Sequence, residues 1–92
     1  MKLSDKVAIS ADVVAREVSG ELVLLNLDSG TYFGLNPVGG RVWALVEEQP
    51  RTLQEVSAVL QEEFAVSAEE AESDLLQLAA DLHQHGLLLL AA

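Results

Sequence analysis

His83 and His85, fifteen Asp and Glu, and scattered serines and glycines are the side chains from which this 92-residue sequence would have to build any reaction. The histidines stand two apart, so on a helix they point to different sides; a helical metal pair needs i and i+4 on one face. The adjacent carboxylates Glu62-Glu63 and Glu69-Glu70 fall on predicted outer faces, where runs of charge are solvated. General acid-base work requires a carboxyl in an apolar cleft with a displaced pKa, and the sequence specifies none. With no cysteine, disulfides, thiolate metal sites and a cysteine nucleophile are excluded together. There is no GxxxxGK(S/T) or GxGxxG phosphate cradle, and no serine sits in a GxSxG elbow. Catalytic residues, a metal and a cofactor are all expected to be absent, and the chain reads as a binder and not an enzyme.

Two side chains stand out. Asp74 is alone among the leucines and alanines of a helical pattern, between Ala71 and Leu75. It is either an acid at the edge of an apolar stripe facing water, or an acceptor beside an apolar groove that orients a peptide's N–H or basic side chain. Tyr32 divides the same way, between packing and a contact surface.

The elements that position these residues start with a central stretch. Leu22 to Leu27 is an apolar strand, and Asp28-Ser29-Gly30 suits a hairpin turn with a positive φ angle. Thr31 to Leu35 returns as a strand, alternating so that Phe33 and Leu35 share a face. Asn36-Pro37 ends it, as N-cap and first helical residue. Val13 to Val18 precedes as another strand, with Ser19-Gly20 a two-residue turn, so that three strands form an antiparallel meander. If Thr31 to Leu35 is the last strand, its free backbone groups can accept a peptide as an added strand. Met1 to Ser10 is weakly patterned, with Val7 to Ile9 a short strand or a segment lying across the domain.

Three helices follow. From Pro37 to about Glu48, Val38, Val42, Leu45 and Val46 recur at helical spacing beside Trp43, and Gly39-Gly40 predicts close packing against the sheet. Thr52 with Glu55 and Ser67 with Glu70 have capping-box spacing, and Ala65-Val66 is a brief turn between the helices they open. Leu53, Val56, Leu60 and Phe64 form the second helix's buried stripe; Ala68, Ala71, Leu75, Leu78 and Leu82 form the third's. Gly86 is a left-handed stop, and Leu87 to Leu90 a buried tail or short strand.

The formal net charge is -10, and all five Lys and Arg lie at or before Arg51. Phosphate contacts supply most non-specific nucleic-acid affinity, so this balance argues against a winged-helix DNA regulator, whose recognition helix here has no Lys or Arg. A cationic or neutral peptide is electrostatically better suited. No run approaches the roughly 18 to 20 apolar residues of a membrane span, and a soluble cytoplasmic protein is expected.

Taken in order, LNLDSGTYFGLNPVGGRVWALV, RTLQEVSAVLQEEF and AESDLLQLAADLHQHGLL resemble the PqqD-like family, the recognition elements for leader segments of ribosomally made, modified peptides. The resemblance covers nearly the whole chain. It rests on Leu35-Asn36-Pro37, Gly40, Trp43, Arg51-Thr52, Asp74 and Gly86-Leu87-Leu88. The TYFGLNPVGGRVW form looks closer to the stand-alone proteins of lasso-peptide pathways than to the partner used in pyrroloquinoline quinone synthesis. Gly39 before Gly40 and the acidic second half depart from the family pattern.

The resemblance implies a single α+β domain over residues 1–92, winged helix-turn-helix-like, a three-stranded antiparallel sheet followed by three helices. It implies that a leader adds as a strand beside the third strand, against the third helix. Carried over, the backbone of Thr31, Tyr32, Phe33, Gly34 and Leu35 meets the leader, and Ala71, Asp74, Leu75 and Leu78 line the facing helix. The implied partners are a precursor peptide, its leader bearing a Tyr-x-x-Pro motif, and a maturation enzyme: a cysteine leader peptidase followed by a cyclase. In the quinone pathway the partner would be a radical SAM enzyme.

Overall fold

A computed structural model describes residues 1–91. Its elements run β1 (Lys6–Ile9), β2 (Val13–Val18), β3 (Glu21–Asn26), β4 (Tyr32–Leu35), α1 (Pro37–Glu48), β5 (Arg51–Thr52), α2 (Leu53–Phe64), α3 (Ala68–Gln84) and β6 (Leu88–Ala91). The architecture is α+β, with the expected antiparallel sheet β2-β3-β4 and three helices. Ser19 and Gly20 take φ of 52° and 82°, the two left-handed residues that a tight hairpin needs to match strand twist. Gly30, at φ 74°, closes the turn into β4.

A second sheet, of order β5-β1-β6, goes beyond the expectation. β1 lies between the other two, with Val7 opposite both Arg51 and Leu90. The apolar tail is thereby used inside this sheet and leaves β4 uncovered. Strand ends shift slightly from the reading of the sequence: Leu27 and Thr31 fall outside β3 and β4.

The core brings both sheets and all three helices together through Val7, Leu24, Leu35, Trp43, Leu53, Leu75, Leu82 and Leu88. Leu24 and Leu53 are wholly buried, each side chain contributing roughly 1.5–3 kcal/mol of burial. Trp43 buries its indole N–H without a partner among the described residues, a cost of about 1–3 kcal/mol set against its apolar surface.

The capping predictions resolve unequally. Thr52 and Glu55 form the reciprocal box, whereas Ser67 accepts from the Glu70 N–H with no return bond from the Glu70 side chain. Asn36 caps α1 by accepting from the Gly39 N–H at 2.8 Å. Close packing applies to one glycine of the pair: a Cβ on Gly39 would stand 3.1 Å from Leu35 Cδ2, while on Gly40 it would reach only Leu22 Cβ at 4.0 Å. Ala65, left-handed at φ 52°, ends α2 before Ser67 opens α3.

Candidate functional site

β4 is the last strand of its sheet, and among the described residues no strand pairs with its outer side. The Asn26 N–H donates to the Thr31 carbonyl at 2.9 Å. In an antiparallel ladder alternate residues exchange both bonds with the partner strand. This parity turns the backbone of Phe33 and Leu35 toward β3, opposite Leu24 and Leu22, and leaves the N–H and C=O of Tyr32 and Gly34 pointing outward. Thr31 precedes the strand: its N–H donates to Ser29 Oγ at 3.3 Å and its carbonyl is taken by Asn26. The open edge is therefore built by Tyr32 and Gly34.

The side chains follow the same alternation. Tyr32 is 69% exposed, Phe33 partly buried and Leu35 buried. β4 carries no charged residue, whereas β2, at the other margin of the sheet, carries Arg16 and Glu17.

Beyond the C-terminal end of β4 lies a cavity of about 290 Å³ bounded by all three helices. Ala71, Asp74, Leu75 and Leu78 all line it, one face of α3 held together by its three-four spacing. None of Thr31 to Leu35 does; Asn36, the residue after β4, joins the strand to the cavity wall. Asp74 is exposed, has no ion pair among the described residues and shares the rim with Glu70, so the only charge facing the cavity is negative.

Phe64 is a correction. The sequence pattern puts it in the buried stripe of α2, but it is 37% exposed and forms part of the cavity wall with Val38 and Val66. Ala68, expected in the stripe of α3, is also exposed. An apolar residue at the end of a helix keeps the spacing of a core position even where no element covers it.

At its other end β4 touches α3. Phe33 meets His85, the C-cap of α3, edge-on, with ring centroids 5.4 Å apart. Strand and helix thus run in opposite directions, in contact at Phe33 and His85 and opening into the cavity beyond Asn36. His83 and His85 do diverge: His83 Nδ1 donates to the Leu88 carbonyl and His85 Nδ1 to the Asp81 carbonyl. Asn26, which the sequence did not single out, bonds the β3–β4 turn and the end of α3 at once. An asparagine just before a turn reads as turn chemistry, and its second partner is 59 residues away.

Among the described residues no group of His, Asp and Glu forms a potential metal site, and no helix is long and apolar enough to cross a membrane. Among the described residues, the one displaced ionisation pair lies on the helix surface. Arg41 of α1 and Glu63 of α2 make two parallel bonds of 2.8 and 2.9 Å, and this hydrogen bonding holds the Glu63 carboxyl below its ordinary range and raises Arg41.

The chain is similar to known proteins over most of its length. The model of the family described as coenzyme PQQ synthesis protein D (PqqD) matches residues 21–88. A solved structure of TbiB1 in complex with the TbiA(beta) leader peptide superposes with a TM-score of 0.80 at 38% identity, over 88% of this chain and 93% of that one. A lasso peptide synthetase B1 complexed with the leader peptide gives 0.79 at 23% identity, over 90% of this chain and 96% of that one, a likeness of fold. No curated protein matches.

Proposed function

The chain belongs to the PqqD family, and from that membership we propose that it binds the leader segment of a ribosomally synthesised precursor peptide and performs no chemistry on it. The leader adds as a strand along β4, taking the outward N–H and C=O groups of Tyr32 and Gly34. Its side chains on the inner face pass along α3 toward the cavity lined by Ala71, Asp74, Leu75 and Leu78. Backbone pairing gives affinity with little reading of sequence, so selection falls to that cavity, whose apolar walls suit an aromatic ring and a proline. The observation that carries the reading is an uncovered, uncharged strand edge running up to an apolar cavity.

The bound precursor is delivered to a separate maturation enzyme, a leader peptidase and then a cyclase in a pathway of lasso type. Holding the leader raises the precursor's effective concentration near that enzyme. The net charge of -10 favours cationic or neutral segments and opposes nucleic acid. A second reading, favoured by the description of the matching family, is the quinone-cofactor version of the same task, with a radical SAM enzyme as partner. The neighbouring genes distinguish the two.

The test is a calorimetric titration with the leader of the precursor encoded beside this chain's gene. Saturable binding in the micromolar range or tighter is expected. A titration with no saturable heat at micromolar concentrations overturns the proposal.

A further inference from the structure

The two walls of the leader site, β4 and α3, are far apart in sequence, and something must set their separation. Asn26 is the residue that ties them. It is 7% exposed, and its side chain is used at both ends. Oδ1 accepts from the Asp28 N–H at 2.9 Å and the Ser29 N–H at 3.3 Å, closing the turn that starts β4; Nδ2 donates to the His85 carbonyl at 2.9 Å.

The carbonyl it reaches is an otherwise orphaned one. α3 ends in a Schellman motif: the Leu87 N–H bonds the Leu82 carbonyl and the Gly86 N–H bonds the His83 carbonyl. Those bonds leave the C-cap carbonyl of His85 for Asn26. Gly86 permits the approach, because at φ 72° its backbone is one that residues with a Cβ rarely adopt, and a Cβ there would stand 3.0 Å from Asn26 Nδ2.

We propose that Asn26 is a positioning residue for the leader site, its amide fastening the end of α3 to the β3–β4 turn so that strand edge and helix face are already spaced for a peptide before one arrives. The inference rests on the leader-binding reading. Its physical content is preorganisation: a site whose walls are held in place loses less freedom on binding than one that must be assembled around the guest. The tie lies where β4 and α3 touch, so it acts as the hinge pin of the cleft that widens toward Asp74.

Asn26→Asp separates the two jobs of the side chain. A carboxylate still accepts from Asp28 and Ser29, but cannot donate to His85. Gly86→Ala disturbs the same bond from the helix side and carries the test where Asn26→Asp does not fold. Gly30→Ala, strained at φ 74° with open space around it, destabilises the same turn without touching the tie and serves as the control.

Two measurements are made on each chain: amide hydrogen exchange of the free protein, and the affinity and dissociation rate of a fluorescently labelled synthetic leader from the precursor encoded beside this gene. Expected for Asn26→Asp and Gly86→Ala are faster exchange at residues 85–87 and at Phe33 and Leu35, whose N–H groups face β3, and leader binding at least tenfold weaker through faster dissociation. Gly30→Ala is expected to bind within about twofold of the unaltered chain. Wild-type exchange, wild-type affinity, or equal weakening by Gly30→Ala overturns the positioning role. An unaltered chain that binds no leader overturns the leader reading instead, and the exchange data then show whether the tie holds.

Discussion

Phe33 of β4 stands edge-on to His85 at the end of α3, with 5.4 Å between ring centroids and 64° between planes. It is the side-chain counterpart of the Asn26 bond to the same residue. Such aromatic pairs contribute about 0.5–1.5 kcal/mol beyond buried area. His85→Ala is expected to lower the melting temperature by roughly 4–8 °C, the shift that about 1 kcal/mol produces in a domain of this size. Phe33→Ala, which also empties part of the core, costs about 3–5 kcal/mol and largely unfolds the chain. Thermal circular dichroism checks both; a His85→Ala melt superimposed on wild type would mean the contact contributes nothing.

Proline distinguishes the two sides of β4. The Gly34 N–H points away from β3, so Gly34→Pro is expected to keep the sheet while lowering leader affinity at least tenfold, about 1.4 kcal/mol. Phe33→Pro removes a bond of the β3 ladder and is expected to unfold the hairpin. Amide spectra and a leader titration decide. A Gly34→Pro chain that is folded and binds normally shows that no strand is added at this edge.

Asp74 is exposed and unpaired among the described residues. Asp74→Ala is therefore expected to change stability by no more than about 0.5 kcal/mol. A charge-assisted hydrogen bond to the leader is worth about 1.5–3 kcal/mol, so affinity falls tenfold or more. Unchanged affinity in the same titration would assign the carboxylate to solvent alone.

Glu63 sets an acid dependence. Its pKa in the folded state is lowered, first by the hydrogen bonds from Arg41, so its contribution is fully present above its ordinary value of 4.5. It is lost as the pH falls through the lower folded value. Glu63→Gln should accordingly flatten the wild-type loss of stability on acidification below about pH 4.5, with little effect near neutrality, where so exposed a pair contributes little. Denaturant melts at several pH values check the sign.

Much of this geometry is visible in the residues because it depends on local chemistry. Ser19-Gly20, Asn36-Pro37, Thr52 with Glu55, and Gly86 each specify their own backbone, and the bounds of α1 and α2 follow from them. The apolar stripe of α3 through Ala71, Leu75 and Leu78 follows from helical spacing, whereas spacing leaves Asp74 between solvent and groove, and its place beside them is what the family resemblance implies. What escaped depends on distant partners. Asn26 looks like any turn residue until His85 is folded against it. Phe64 keeps core spacing although α2 ends before anything covers it. The sheet β5-β1-β6 joins strands as short as two residues, too brief to show a period.

β4 lacks the charged guards that Arg16 and Glu17 provide at the opposite margin. A vacancy shaped for any extended backbone does not discriminate between a leader and another molecule of the same protein. Mutual repulsion between molecules of charge -10 opposes such pairing, and dissolved ions weaken it. Empty protein concentrated in strong salt should cluster margin to margin, and a bound leader should act as its solubiliser.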